Sequence, residues 1–368
     1  MYFSNLRSLS FACAVICGVW FLPQSSSAEL APLTLDPVAT TSAVSNGSTS
    51  RAGAPAEPLS LSQPTTQPTA DDSSGEDPIY ACACGCGIYE VGTASMLPRG
   101  QGGMVYLEYD YQDQNINWSG VRPAPGSDND DVNIRTNFYT LGLQYFFTRA
   151  WGIQVELPYD NRHFETATAA PGGGEATLQW GALGDVRLEG IYAGFFDDQS
   201  LGVDFGLKLP TGNYTHNNRW GDADRDSELG TGSLDVLLGG FYRHQFTDNL
   251  TGFTQVLLDV PCDEVAGYRP GIEADGSFGA YFTGLSLGRV QITPVAQVLV
   301  AERGHDSGPN AAHPIASGYQ RVLLSPGLEF DVHPFEIYTD IEVPVYQHFS
   351  GDQLTAPFLF KLIFSYHF

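Results

Sequence analysis

The sequence predicts an all-β fold: a transmembrane antiparallel β-barrel of about twelve strands, preceded by a disordered N-terminal segment. Two observations lead to this prediction. Apolar and polar residues alternate in one segment after another from residue 102 to the end of the chain. The connections between these segments are alternately short and long, as in outer-membrane barrels. The composition agrees, because the chain holds 41 Gly and 12% aromatic residues but only 16% charged residues.

Residues 1–28 have the features of a secretory signal peptide. Arg7 precedes an apolar stretch at 11–22, and the small residues at 26–28 offer a cleavage site. The apolar stretch is shorter than the roughly 20 residues that a membrane-spanning helix needs. We therefore expect an exported chain whose mature form begins near Glu29. An uncleaved membrane anchor is the alternative.

Residues 29–78 are rich in Ala, Pro, Ser and Thr, lack aromatic residues and show no period. A stretch of this composition cannot bury enough apolar surface to offset the loss of chain entropy on folding. It is therefore predicted to be a disordered linker.

The segment 79–101 contains three cysteines at alternate positions, Cys82, Cys84 and Cys86, with small residues between them. Thiols in this pattern could converge on a soft metal ion, and copper and zinc are the candidates. Disulfide formation competes in an oxidising compartment, where Cys262 is a further thiol. A third interpretation is that the N-terminal residues plug the lumen or dock a periplasmic partner protein.

Residues 102–368 are predicted to form the barrel. Successive side chains of a β-strand point to opposite faces, so each alternating segment has one apolar and one polar side. The last segment alternates aromatic residues up to Phe368, an ending that resembles the assembly signal of outer-membrane barrels. About twelve segments show the alternation, and they are 103–113, 134–147, 151–158, 182–196, 201–210, 232–246, 250–260, 273–287, 289–302, 318–330, 335–347 and 355–368.

A soluble β-sandwich is the competing architecture, with its apolar face inward and its polar face in water. The segments are longer than the 5–6 residues that are usual for soluble strands and match tilted membrane-spanning strands of about 9–11 residues. Aromatic residues gather at the segment ends, where the two membrane interfaces would lie. These features favour the membrane barrel, in which the polar faces line the lumen.

The polar faces of the segments define the candidate lumen-lining residues. Charged side chains facing lipid would each cost a few kcal/mol at the bilayer midplane, so an inward orientation is expected. Two interpretations remain open: an ion-paired plug that holds the barrel together, or a water-filled path with a preference for cations. The predicted lining residues are Glu108, Asp110, Glu156, Asp185, Glu189, Asp204, Asp235, Asp259, Glu329, Glu336, Asp340 and Glu342, with Arg187, Lys208, Arg243, Arg321 and Lys361.

The net charge excludes one class of function and the motifs disfavour another. A formal charge of -25 leaves no basic surface for phosphate contacts, so the protein is not expected to bind nucleic acid. No nucleophile elbow, HExxH motif or phosphate-binding glycine motif occurs in the sequence. We therefore predict no catalytic residues and no enzymatic activity.

The stretch KLPTGNY (208–214), its acid-rich loop and the returning GTGSLDVLLGGFY (230–242) carry a resemblance to a known family. The barrel region resembles the outer-membrane transporter family labelled meta-pathway of phenol degradation. Members of that family are signal-peptide-bearing barrels. The cysteine triplet and the long linker depart from the family pattern. The resemblance implies transport across the outer membrane and says little about the solute.

The sequence therefore predicts a protein of the bacterial outer membrane, in contact with lipid, that lets small-molecule solutes pass through an acidic lumen. The alternative is a barrel-anchored protein whose CxCxC segment binds copper or zinc, or docks a partner through residues 29–101. A third interpretation is an occluded barrel whose loops serve as a surface.

Overall fold

The computed structural model describes Leu97 and residues 100–167, 174–218, 221–222, 225–311 and 315–368. The predicted signal peptide, the linker and the three cysteines of the CxCxC segment lie outside these residues. In the described part of the chain, no helix is both long and apolar enough to cross a membrane.

Twelve antiparallel strands close into a barrel. Each strand pairs with its neighbours in the chain, and the first strand also pairs with the last. The strands are β1 (Gly102–Gln114), β2 (Asp131–Phe146), β3 (Trp151–Ala167), β4 (Val186–Tyr192), β5 (Leu201–Leu209), β6 (Asp235–Thr247), β7 (Leu250–Pro261), β8 (Glu273–Phe282), β9 (Val290–Arg303), β10 (Tyr319–Val332), β11 (Phe335–Thr355) and β12 (Leu359–His367).

The barrel closes where β1 meets β12. The register places Met104 opposite His367 and Gln112 opposite Leu359. Beyond the last paired residue, the Gly103 amide donates to the Phe368 carbonyl at 2.8 Å, and the Phe368 amide donates back to Gly103 at 2.9 Å. Closure leaves no unpaired edge along this seam, which is the requirement for a sheet in a medium without water.

The two ends of the barrel differ. The turn end, as we name it, carries the start of β1, the end of β12 and the short connections at 147–150, 193–200, 248–249, 283–289 and 333–334. The loop end carries the longer connections that follow β1, β3, β5, β7 and β9. This division matches the alternation of connection lengths in the sequence.

At the loop end, strand structure extends further than the sequence predicts. β3 continues to Ala167 and pairs with an additional strand, Glu175–Leu183, in a region expected to be a loop. β11 continues to Thr355 and pairs with the short strand Ile116–Gly120. Polar side chains such as Gln353, which donates to the Gly318 carbonyl at 3.0 Å, stabilise these extensions. They lack the apolar outer stripe on which the sequence prediction depended.

Two predicted strands are interrupted. The predicted strand 182–196 is broken at Gly184–Asp185, and its remainder, β4, ends at Tyr192. The predicted strand 273–287 is divided into β8 and a short strand, Leu285–Leu287, that forms a hairpin with β9. Gly288 makes the turn of this hairpin with φ +65°, a left-handed conformation that glycine adopts without strain.

The apolar side chains face outward and the charged side chains face inward. On β1, Leu107 is 50% exposed, whereas its inward neighbour Tyr106 is only 1% exposed. This arrangement reverses that of a soluble barrel and is the one that a lipid environment favours. The exposed apolar side chains continue around the barrel, as at Leu141, Leu143, Leu157, Leu188, Val203, Leu207, Leu238, Leu328, Ile341 and Val343.

Exposed aromatic residues form a band at the turn end. Tyr145 and Phe368 stack with their ring centroids 6.3 Å apart, and Phe335 and Tyr366 lie 5.4 Å apart. Such a band is typical of the level where a barrel meets the lipid headgroups. Its other members include Phe147, Trp151, Phe195, Phe196 and Tyr242.

Candidate functional site: the lumen of the barrel

An apolar cluster occupies the lumen near the turn end. Leu97, which precedes β1, is 3% exposed and belongs to this cluster. The chain therefore enters the lumen before it joins the barrel wall. The turn-end cluster consists of Leu97, Met104, Tyr106, Phe146, Ile191, Ala193, Phe241, Phe253, Val295, Tyr338 and Ile363.

Five aromatic rings of the turn-end cluster lie flat against the barrel wall. Each ring covers an inward-facing glycine of a neighbouring strand, and a Cβ atom at any of these glycines would overlap the ring. The rings therefore line the wall and do not point across the lumen. The pairs are Tyr106 on Gly142, Phe146 on Gly152, Phe241 on Gly202, Phe253 on Gly279 and Tyr338 on Gly327.

A first group of buried charges surrounds Lys361 on β12. Its Nζ atom lies 2.6 Å from Glu108 Oε1 and 3.2 Å from Asp110 Oδ1. Asp340 stands opposite Lys361 on β11 and accepts hydrogen bonds from Tyr338 and Ser325 at 2.8 and 2.7 Å. One ammonium group of β12 thus pairs with two carboxylates of β1, where the barrel closes, and faces Asp340 of β11 in the register.

A second group surrounds Lys208 on β5. Its Nζ atom lies 2.6 Å from Asp235 Oδ2 and also forms a very short contact with Asp259 Oδ2. Arg187 Nη2 lies 3.9 Å from the same Asp259 oxygen. The KLPTGNY stretch, which carries the resemblance to a transporter family, therefore contributes the lysine of a charged network inside the barrel.

Sixteen of the seventeen predicted lining residues lie on the inward side of the strands, and Asp185 lies at the break between two strands. Eleven are buried and six are half-buried, since they border open space in the lumen. Besides the two lysine groups, Glu336 lies 3.5 Å from His367. The buried set is Asp110, Asp185, Arg187, Asp235, Asp259, Arg321, Glu329, Glu336, Asp340, Glu342 and Lys361, and the half-buried set is Glu108, Glu156, Glu189, Asp204, Lys208 and Arg243.

The main lumen cavity has a volume of about 280 Å³. It extends from the turn-end cluster, where Leu97, Ile191 and Phe241 border it, to loop residues at the other end. Nine acidic and five basic side chains line it, so the lining carries more negative than positive groups. These are Glu108, Glu156, Asp160, Asp185, Glu189, Asp204, Glu228, Asp259 and Glu273, with Arg162, Arg187, Lys208, Arg303 and Lys361.

A smaller cavity of about 230 Å³ lies at the turn end. Arg243 and Glu329, both predicted as lining residues, border it together with Asp331 and Tyr281. Arg243 also donates to the Asp198 carbonyl at 2.7 Å. Tyr281 packs against the turn-end cluster, so this cavity and the main cavity lie on either side of that cluster.

The loop between β5 and β6 folds inward over the main cavity. Leu229 is buried, and Arg162 on β3 donates to the main-chain oxygens of Ser227 and Glu228. Asp185 accepts hydrogen bonds from the Thr231 amide and hydroxyl, both at 2.8 Å. Asp185, predicted as a lining residue, therefore also anchors a loop.

Asp306 joins two further loops at the loop end. It accepts hydrogen bonds from the Tyr268 hydroxyl at 2.9 Å and the Gly271 amide at 2.8 Å, and Arg303 lies 2.9 Å away. Burial raises the pKa of Tyr268 well above its ordinary value; Arg303 opposes this shift and Asp306 reinforces it. Tyr268 therefore stays protonated and able to donate. The Arg225 guanidinium lies over the Tyr268 ring, 5.1 Å from its centroid, and so ties in the β5–β6 loop.

The sequence prediction missed several lining residues at the loop end. Asp160 and Arg162 belong to the extension of β3, and their inward position continues the even-numbered alternation of Glu156 beyond Pro158. That continued period was an available signal. Arg303 likewise continues the odd-numbered inward alternation of β9 one residue beyond the predicted segment. Glu228 has no such signal, because the folding of a loop places it.

The structure does not describe the three cysteines that were predicted to bind a metal ion. Among the described residues, no group of three or more His, Cys, Asp or Glu side chains is arranged to hold a metal ion. Cys82, Cys84 and Cys86 lie outside those residues. Cys262, the possible disulfide partner, is exposed as a free thiol in the connection after β7.

Comparison with known proteins gives a likeness of fold. No protein-family model and no curated protein matches the chain. An outer-membrane channel from Pseudomonas putida F1 matches with a TM-score of 0.56 at 12% identity, covering 76% of this chain and 100% of that one. At this identity the match shows that the two proteins share the fold: the chain has the barrel architecture of an outer-membrane channel.

Two further matches are more distant. A FadL homologue from Pseudomonas aeruginosa has a TM-score of 0.39 at 10% identity and covers 72% of this chain and 90% of its own. The monoaromatic hydrocarbon channel CymD has a TM-score of 0.39 at 10% identity, with 73% and 89% covered. Structural similarity at this level does not indicate the function of the present chain.

Proposed function

We propose that the protein is a channel or transporter of the bacterial outer membrane that lets small molecules pass through an acidic lumen. The observation that carries the proposal is the reversed polarity of the barrel, with exposed aliphatic residues such as Leu107 and Leu141 outside and ionised residues such as Lys361 inside. Charges on the lipid side would cost a few kcal/mol each at mid-bilayer, so the inward placement suits a spanning barrel.

The main cavity supports the passage of solutes over the alternative, an interior that only holds the barrel together. A barrel that serves only as an anchor has no need for open space beside its charged wall, whereas the main cavity provides about 280 Å³. The turn-end cluster, which includes Leu97, and the inward-folded β5–β6 loop narrow the two ends of this path. The proposal therefore includes rearrangement at both positions during passage.

The orientation follows from the ends of the barrel. Outer-membrane barrels have short turns on the periplasmic side and longer loops on the outside. We accordingly assign the turn end to the periplasmic side of the membrane. Fold likeness to an outer-membrane channel supports the assignment of the barrel to the outer membrane.

Single-channel recording in planar lipid bilayers tests the proposal. Purified full-length protein should give discrete current steps, and in a KCl gradient the reversal potential should shift toward the potassium equilibrium potential, because acids outnumber bases in the lining. Protein that inserts, stays folded and never conducts would contradict the proposal. A reversal potential shifted toward the chloride equilibrium potential would contradict the predicted cation selectivity but not the channel function.

The second candidate function rests on the cysteine triplet. Three thiols at alternate positions suit copper or zinc, so the barrel could anchor a metal-binding or partner-docking segment. Metal analysis of purified protein tests this idea. Bound copper or zinc should disappear on substitution of Cys82, Cys84 and Cys86 by Ser and should persist in Cys262→Ser. Metal-free protein with all four mature cysteines oxidised would contradict it.

A further inference from the structure

The basic side chains that line the main cavity are all occupied by acceptors of the protein itself. Free cationic groups in the lumen would attract anionic solutes. Whether these basic side chains are paired therefore decides which charge of solute the lumen prefers. Lys208 and Lys361 each bridge two carboxylates, Arg303 lies 2.9 Å from Asp306, Arg187 lies 3.9 Å from Asp259, and Arg162 donates to main-chain oxygens of the β5–β6 loop.

Most carboxylates of the cavity are occupied as well. Glu156 accepts from the Tyr106 hydroxyl at 2.5 Å and from Gln154 at 2.8 Å, and Glu273 accepts from the Tyr319 hydroxyl at 2.5 Å. Asp204 on β5 differs. Within the described part of the chain, no hydrogen-bond donor and no cation contacts its carboxylate, although the side chain lines the cavity and is half-buried.

The wall around Asp204 carries few side chains. Its inward-facing neighbours along β5 are Gly202 and Gly206, and Gly239 stands opposite it on β6. A Cβ atom at Gly239 would lie 3.3 Å from Asp204 Oδ2, so the carboxylate rests on this bare stretch of wall. A ligand can therefore approach the carboxylate closely from the cavity.

Apolar side chains border the same recess. Ile191 stands opposite Asp204 on β4, and Phe241 covers the adjacent Gly202. The recess thus offers one unpaired negative charge beside an aliphatic and an aromatic surface. A charge withdrawn from bulk water without a partner is unfavourable, and a cationic ligand relieves that cost.

We infer that Asp204 receives the positive end of the permeant, and that the permeant class is a small organic ammonium ion with an apolar body. The inference deepens the proposed channel function and rests on it. An anion would meet the excess of carboxylates, and a neutral alcohol would leave Asp204 without its counter-ion. An ammonium ion donates to Asp204 while its hydrocarbon part packs against Ile191 and Phe241.

Equilibrium binding tests the inference without requiring conduction. Full-length protein in a non-ionic detergent is titrated with n-butylammonium, n-butanol and butyrate in a calorimeter. Butylammonium should bind about 10- to 100-fold more tightly than either analogue, which is the range expected for a charge-assisted hydrogen bond. This comparison uses the native protein and holds even if a variant fails to fold.

Substitutions assign the preference to one residue. Asp204→Asn should remove the butylammonium preference and Asp204→Glu should keep most of it. Asp197→Asn, the same chemical change at an exposed residue of the turn end, should bind like the native protein. Equal binding of butylammonium and butanol by the native protein, or an unchanged preference in a folded Asp204→Asn protein, would overturn the inference.

The two proposals fail in different ways. A native protein that binds butylammonium through Asp204 but never conducts would refute the channel and leave the ammonium site in place. A protein that conducts without any preference for butylammonium over butanol would leave the channel in place and refute the assignment of Asp204.

Discussion

Inward-facing glycines determine how the aromatic residues of the lumen lie. Tyr106 and Gly142 stand directly opposite each other in the register of β1 and β2, and the ring occupies the space that a side chain at 142 would fill. The same geometry recurs at Phe241 and Gly202. Because each ring lies along the wall, large side chains contribute apolar contact without crossing the lumen axis.

Substitution at one such glycine should destabilise the barrel. Gly142→Ala places a methyl group inside the Tyr106 ring, which cannot shift without losing its hydrogen bond to Glu156. Overpacking of this kind costs about 1–3 kcal/mol. Unfolding in urea, followed by aromatic fluorescence, measures the loss. Gly126→Ala is the matched control, because open space surrounds Gly126. Equal stability of the two variants would contradict the packing argument.

The period of two in the sequence predicts which charged residues share the face opposite the apolar stripe. Glu108 and Asp110 on β1 and Lys361 on β12 follow from alternation alone. Their meeting in one ion-paired group does not, because it depends on the register between β1 and β12, the first and last strands of the barrel. The sequence also does not predict that the Asp204 carboxylate has no partner among the described residues. That property depends on the neighbouring strands, which place no donor or cation beside it.

At the scale of elements, one residue that precedes β1, Leu97, belongs to the interior of the barrel. Leu97 is buried in the turn-end cluster and also borders the main cavity. The alternation in the sequence gave no indication of this, because the only leucine of the segment 79–101 has no periodic partner. Tertiary contact with side chains from distant strands places it.

Removal of residues 29–97 from the mature protein should increase single-channel conductance. The deletion takes Leu97 out of the turn-end cluster and leaves the aromatic rings on the wall. Leu97→Ala should give a smaller increase in the same direction, and Leu107→Ala, on the exposed outer face, should conduct like the native protein. An unchanged conductance of the deletion variant in planar bilayers would show that Leu97 does not narrow the path.

The loops at the other end depend on Asp306. Asp306→Ala removes the acceptor of the Tyr268 hydroxyl and the Gly271 amide, and buried donors left without acceptors cost about 1–3 kcal/mol. We expect faster chymotrypsin cleavage after Tyr268, whose hydroxyl loses its acceptor in the variant, as measured by mass spectrometry. Asp248→Ala, at an exposed residue of a turn-end connection, is the control. Cleavage at the native rate would mean that other contacts hold the loop.

The strand extensions at the loop end illustrate why elements were predicted less well there. Apolar-polar alternation records contact with lipid, so it ends where the barrel leaves the membrane level. β11 continues to Thr355 through residues whose buried polar groups pair with other loops, as at Gln353. Sequence reasoning based on one lipid-facing stripe assigns such residues to loops.

At the scale of the whole molecule, the acidity of the chain is concentrated in the barrel. Residues 102–368 hold 34 of the 42 acidic and 14 of the 17 basic residues. Some of the excess lies in the lining of the main cavity, where nine acids face five bases, and more lies in the connections. Under the proposed function, this excess of acids gives a negative potential along the path.

Varying the salt concentration should distinguish the effect of the lumen charges on ion selectivity from that of the charges in the connections. The Debye length falls from about 10 Å at 0.1 M to about 3 Å at 1 M, so charges on the loops lose their influence in concentrated salt while partly buried lumen charges keep theirs. The permeability ratio of potassium to chloride, measured from reversal potentials, should exceed one at 0.1 M and decline toward a smaller value, still above one, at 1 M. Asp204→Asn should lower the ratio at both concentrations, and Asp197→Asn should affect it only at 0.1 M. A ratio of one at 1 M in the native protein would assign the selectivity to the loops, because no lumen carboxylate would then act on a passing ion.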